Sequence, residues 1–500
     1  MADYCSRWAP TPRYAGIKGC ETPPTWLDEV RVFMKTSVIV HRAHFARLGL
    51  LLLLALAVAC SASVQIEPTE RADSGQGGID SDQAGAESEE ASPDDSDDAE
   101  QGASATEPTA PAVAGGSAPN RGEPAQDRIV VATRAGQVYL IDPDGGDRLD
   151  LVADPTIEQG AQPVWSPDGR RIAWSERSAL GFSIVSTNID GTERRRAETL
   201  FSGYYGYWDP TSTQLGFLGN AAPGTGLVLD QGTGLALDDV IDSDTFYYFS
   251  WGPDGTEWVV HSGSGLSIVS VDGSRRILNL DDFQFRAPIW TANGALVLGV
   301  RQGNRNVIAL VDPETLEVEE LVEAGDVANF VLDPTGRFLA IESLSFPDGG
   351  IPEEDGITAV ALQTAPTAEL LIYDLATGEV EQVLDEQTGG FWWSPDGSSL
   401  AVLVRDVGEP IGRTQWLVWQ NGDTFRSDPF RITPVFATTY VPFFDQFAQS
   451  VSPWAPDSSR FVYAGFDTEG RRGVFVQPAQ PGEPAQRIAD DGAVAFWSPT

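Results

Sequence analysis

The chain has 500 residues, with 73 acidic against 32 basic side chains and a formal net charge of −41 at pH 7. A surface this anionic repels phosphates, which excludes nucleic acid as a partner. Cys5, Cys20 and Cys60 are the only cysteines and His41, His44 and His261 the only histidines, so nothing beyond position 60 can build a disulfide scaffold or a thiolate metal cluster, and neither metal nor cofactor is expected.

Residues 1–33 fit no targeting pattern and read as an upstream start artefact ahead of Met34. Residues 34–59 have the layout of a signal peptide: Lys35, Arg42 and Arg47 precede an uncharged apolar run, Leu48 to Ala59. As a helix that run rises about 18 Å, short of the roughly 30 Å hydrocarbon core, so a leader is expected rather than a permanent span. The run ends in Ala57-Val58-Ala59-Cys60, which resembles the lipobox of bacterial lipoproteins, with Ala57 where that family usually has leucine. The resemblance implies that Cys60 is lipidated and that the mature protein is membrane-anchored and extracytoplasmic. An ordinary secretory signal or an uncleaved anchor is the alternative. The segment 60–127 follows, and from residue 61 it holds 16 Asp or Glu against two Arg and no aromatic residue. It cannot bury a core, and a disordered acidic tether is expected.

Beyond residue 128 the sequence repeats. Pro163-Val164-Trp165-Ser166-Pro167-Asp168-Gly169 and Trp393-Ser394-Pro395-Asp396-Gly397 are the clearest copies, and Trp208, Trp251, Trp290, Leu332, Trp454 and Trp497 keep the frame at intervals from Trp165 of 43, 43, 39, 42, 61, 61 and 43 residues. Ser-Pro-Asp-Gly suits a type I turn, with Pro setting φ and Gly accepting the positive φ that follows. An apolar strand such as Leu400-Ala401-Val402-Leu403 comes after it, then a second hairpin with an Asp- and Gly-rich turn. Each repeat is therefore read as four strands, A to D, and the period as that of a β-propeller blade. Residues 129–152 read as B, C and D without an A, whereas Ala493 to Trp497 reads as an A alone. The expectation over 128–500 is a single all-β propeller of eight four-stranded blades, with seven as the alternative count, closed by pairing of the terminal strands.

The W-S-P-D-G turn, the strand after it and the later Asp-x-x-Gly turn resemble the TolB-like propeller repeat, over roughly residues 128 to 500. That family pairs six blades with an N-terminal α/β domain, a count and a domain not seen here. Similar propellers precede serine-peptidase domains, but this chain contains no G-x-S-x-G elbow. The resemblance thus implies a fold and no catalytic residues.

Asp142 to Asp147 superficially resembles a calcium loop but occupies the C–D turn, and His261 ends a strand B; turn chemistry and packing are expected of them. The long insertions are more informative, because B–C and D–A connections emerge on one face of a propeller. Ser343 to Ala368 and Arg405 to Gln415 are read as B–C connections of blades five and six, and Thr433 to Ser450 as the connection from strand D of blade six to strand A of blade seven. The last carries Phe436, Tyr440, Phe443, Phe444 and Phe447. These aromatics, with Arg413 and Asp445 at the rim, are the candidate surface for an unknown protein, peptide or glycan partner; the other reading of the segment is a small core capping the channel. The function expected is a non-enzymatic, lipid-anchored binding module. A carbohydrate- or peptide-processing enzyme using channel carboxylates and a structural spacer in an envelope assembly are the alternatives.

Overall fold

The computed structural model describes residue 124 and residues 126–500, apart from 153–158, 180, 200–202, 222–223, 231–239, 243–245, 285, 347–365 and 407–411. The expected leader and lipidation site, residues 34–59 and Cys60, and the acidic segment up to 123 lie outside these residues, as does most of the blade-five insertion.

The described residues form an all-β propeller. Eight four-stranded antiparallel sheets are present among them: seven blades, each made of four consecutive strands, and one sheet shared by the two ends of the chain. Blade one comprises Gln159–Trp165, Arg171–Ser178, Gly181–Asn188 and Arg195–Thr199 as strands A to D. The inner strands of the next six blades are Gly203–Trp208, Phe246–Trp251, Ile289–Trp290, Val327–Leu332, Thr388–Trp393 and Arg431–Ile432. In the shared sheet Ile129–Ala132 pairs with Val494–Trp497, Ile129 opposite Trp497 and Ala132 opposite Val494. Asp127 clamps this seam, accepting the Trp497 indole N–H at 2.8 Å and an Arg460 N–H at 2.7 Å. No sheet edge is left at the closure.

The repeated turns form for the reasons read from the sequence. The Gly169 amide donates to the Ser166 carbonyl at 2.9 Å, and Gly169 takes φ +66°. Blades two and seven lack this glycine: Ser212 (φ 61°) and Ser458 (φ 60°) stand there instead. Their hydroxyls accept the amides of Asp168 and Asp396, one blade back, at 3.0 and 3.2 Å. A serine in the left-handed region costs about 1 kcal/mol, and here the contact it makes binds neighbouring blades.

The motif tryptophans do more than fill space between sheets. Trp165, Trp251, Trp393 and Trp454 each donate their indole N–H to a carbonyl of the preceding sheet's inner strand, those of Phe496, Tyr207, Val331 and Trp392, at 3.4, 2.8, 3.0 and 2.8 Å. Each acceptor is the residue just before that strand's own motif position. Burying one indole contributes about 5 kcal/mol before conformational entropy is subtracted, and the hydrogen bond fixes its orientation.

Candidate functional site

The inner strands do not run straight, and their irregularities build the site. Register shifts interrupt strand A in blade one between Ala161 and Val164, in blade two between Tyr204 and Gly206, in blade three between Phe246 and Tyr248, and in blade six between Thr388 and Phe391. Such bulges re-aim side chains. In blade four the excursion is longer: Asp282 bridges to Val300 and pairing resumes with Ile289 opposite Val297, and the described residues between them, 283–284 and 286–288, leave the ladder. In blade seven Arg431 and Ile432 pair with Phe466 and Gly465, and pairing resumes only where Trp454 bridges Phe461. The segment expected as a D–A connection therefore lies inside strand A. The sequence reading missed this because the first part of that strand is two residues long.

Residues 436–447 of this excursion form three short helical turns, Phe436–Tyr440, Val441–Phe443 and Phe444–Phe447, which plug the axis. Tyr440 packs on Phe496 of the shared sheet and on Phe447, with ring centroids at 5.2 and 4.3 Å. Phe447 meets Tyr205 of blade two edge-on at 5.3 Å, and Phe444 meets Phe391 of blade six at 4.8 Å. Polar contacts follow the same paths: the Tyr205 hydroxyl donates to the Gln446 carbonyl at 3.0 Å, and the Gln449 side-chain amide to the Pro288 carbonyl at 3.2 Å. Gly390, at φ +128°, makes room for the plug, since a Cβ there would lie 2.9 Å from Phe444 Cγ.

Of the expected binding residues, Tyr440, Phe444, Asp445 and Phe447 are buried in this plug, with at most 7% exposure, whereas Phe436 and Phe443 are half-buried. Arg413 lies apart at the end of the blade-six B–C connection, its carbonyl accepting the Asp406 amide at 3.0 Å. No hydrogen bond or ion pair joins it to the plug among the described residues.

Charge enters the axis from residues the sequence reading did not single out. Arg286, on the blade-four excursion, approaches Asp445 at 4.0 Å, and its charge opposes the rise that burial gives the Tyr248 hydroxyl of blade three. Burial raises the Asp445 carboxyl above the usual carboxylate range, and Arg286 opposes that shift. Glu342 of blade five, also buried, accepts the Asn329 side-chain amide and the Thr388 backbone amide of blade six, each at 2.7 Å. Burial raises its carboxyl too, against the pull of these donors. His261 Nδ1 faces the Arg286 carbonyl at 3.1 Å and Nε2 faces Asp282 at 3.0 Å, so it holds the excursion that carries Arg286. Glutamines recur at the bulges: Gln162 accepts the Tyr205 amide and Gln284 the Ala328 amide, both at 2.8 Å. Arg286 and Gln284 had no legible signal, lying in a stretch without periodicity, and Glu342 stands inside strand B of blade five, Phe338–Ser345, where no local pattern marks its partners.

This arrangement locks the plug to the ring and leaves little room on the axis. A concavity in the gap of blade seven, lined by Trp392, Trp416, Phe430, Phe436, Tyr463 and Phe496, encloses about 10 Å³, as does a second between blades one and two; each has room for about one water. Among the described residues no three His, Cys, Asp or Glu converge as metal ligands.

No protein family and no curated protein matches the chain. Solved structures similar to it include TolB from Acinetobacter baumannii, at 14% identity over 69% of this chain and 82% of that one (TM-score 0.32). The β-propeller domain of the Trilobed protease from Pyrococcus furiosus is similar at 13% identity over 67% and 99% (TM-score 0.38). The dihydro-heme d1 dehydrogenase NirN is similar at 11% over 74% and 76% (TM-score 0.47). These likenesses concern the propeller fold alone.

Proposed function

We propose that this propeller is held outside the cytoplasmic membrane by a lipid on Cys60 and acts as a non-enzymatic binding module for a protein, peptide or glycan. The observation that carries the reading is the plugged axis: with the channel filled, recognition falls to the surface around the plug. Val435, Phe436, Val441 and Phe443 are half-buried there, and no charged residue interrupts 433–444 on a chain of net charge −41. Half-covered aromatics in an uncharged segment have the composition of a binding hot spot. Residues 434–436 leave strand A at the end carrying the B–C connections, whereas Asp127 enters beside Thr500 at the A–B turns.

The filled channel also suits a structural spacer, and one experiment separates the two readings. The Phe436→Ala/Phe443→Ala variant of the full chain should keep its fold and lose partner capture from envelope extract. Unchanged capture would favour the spacer. The anchor has its own test: Cys60→Ser should move the protein from the detergent to the aqueous phase, since each buried acyl methylene contributes about 0.8 kcal/mol, and continued retention would refute lipidation at Cys60.

A further inference from the structure

Two Asn–Gly pairs occur in the chain, and the structure makes them chemically unequal. Asn293-Gly294 lies in the A–B turn of blade four. There the Gly294 amide donates to the Thr291 carbonyl at 3.0 Å, and the Asn293 side-chain oxygen accepts the Thr291 hydroxyl. Asn421-Gly422 is the two-residue C–D turn of blade six, with Gln420 opposite Asp423. Its φ values of 49° and 93° are those of a type I′ turn. Both residues are exposed, and among the described residues neither the Asn421 side chain nor the Gly422 amide has a hydrogen-bond partner.

We propose that Asn421 is a site of spontaneous modification to aspartate and isoaspartate, and that Asn293 is protected from it. The Gly422 amide nitrogen attacks the Asn421 side-chain carbonyl carbon, forming the C–N bond of a five-membered imide. The side-chain nitrogen leaves as ammonia, taking the Gly422 amide proton. Water then adds to one of the two imide carbonyls and opens the ring to aspartate or isoaspartate. Water is the only co-reactant. Gly422 has no Cβ to hinder the approach, and the outer hairpin it closes is short, its last strand running only from Asp423 to Arg426, so local opening is cheap there.

The turn is placed where this change has consequences. Trp419 donates its indole N–H to Glu381 of blade five at 2.8 Å, and Gln420 donates to the Ala479 carbonyl of blade seven at 3.0 Å. A new carboxylate arises beside Glu381 and Asp423, and isoaspartate adds a backbone atom to a turn flanked by both contacts.

The test is to age the purified, folded full-length chain at mildly alkaline pH and follow both sites by peptide mapping, beside the same chain unfolded in urea. In the folded protein Asn421 should convert at least about tenfold faster than Asn293, the protection expected of a tied turn against a free one, and in urea the two rates should converge. Equal rates in the folded chain, or faster conversion at Asn293, would overturn the proposal. So would an equal preference for Asn421 in urea, which would trace the difference to local sequence and not to the fold.

Discussion

The hydroxyl of Tyr205 donates to the carbonyl of Gln446 at 3.0 Å, so the bulged inner strand of blade two holds the segment that interrupts the inner strand of blade seven. Tyr205 makes this contact at φ 50°, a conformation a bulky residue adopts only where its surroundings enforce it. They do so here: its ring is 3% exposed, edge-on to both Phe249 and Phe447. The bulges and the plug are therefore parts of one structure.

Removing the fully buried plug aromatics, unlike the half-buried Phe436 and Phe443, should accordingly cost fold stability. Phe444→Ala is expected to lose about 3–5 kcal/mol, the usual cost of emptying a buried aromatic site, read as a lower denaturation midpoint. Gly390→Ala should also destabilise, through its φ of +128° and the 2.9 Å approach to Phe444. If either variant melts with the wild type, the segment is not packed as described.

The axial carboxylates set a pH dependence. Burial raises Asp445 in the folded protein, so the folded state holds this proton longer than the unfolded one. Its contribution is greatest in acid and declines as pH rises from about 4, the ordinary carboxylate value, through the raised folded value. The turn residues Asp254 and Asp457 behave oppositely: hydrogen bonds from Thr256 and Ser459 hold them low, and their stabilisation is lost as pH falls. The stability of the wild type relative to Asp445→Asn should therefore shrink as pH rises. A difference independent of pH would show that Asp445 does not titrate with folding.

Ser458 separates two effects at one residue. Ser458→Ala keeps the left-handed strain and loses the hydrogen bond to the Asp396 amide, for a cost of about 1 kcal/mol. Ser458→Gly loses the same bond and relieves the strain, so it should lie close to the wild type. Urea midpoints in the order wild type, Gly, Ala would support the assignment; Ala at or above Gly would contradict it.

The propeller was legible because its signals repeat. Trp393 to Gly397 specifies a turn, and Leu400 to Leu403 the strand after it, by rules that depend on neighbours in sequence. The unpaired strand of Ala493 to Trp497 was legible by the same arithmetic. The plug was legible only as aromatic density, and its burial could not be read, because Phe444 and Phe443 are adjacent and chemically identical while only Phe444 reaches Phe391. Arg286 was invisible for a related reason: its partners, Asp445 and Tyr248, come from other blades and are brought together by ring closure alone. The Trp454 indole bond to Trp392 likewise depends on how sheets stack, which no local pattern encodes.

The central claim, that residues 433–452 are an integral axial plug, is tested most directly by native-state amide hydrogen exchange. The Ala437, Ala448 and Val451 amides donate to the carbonyls of Thr433, Phe444 and Phe447 at 3.0, 2.7 and 2.9 Å. If the plug is part of the core, these amides exchange only through global unfolding, at the rate of blade amides such as Val402 and Val462. Exchange orders of magnitude faster, at the rate of exposed turns, would mean that the segment opens independently of the propeller and would contradict the account.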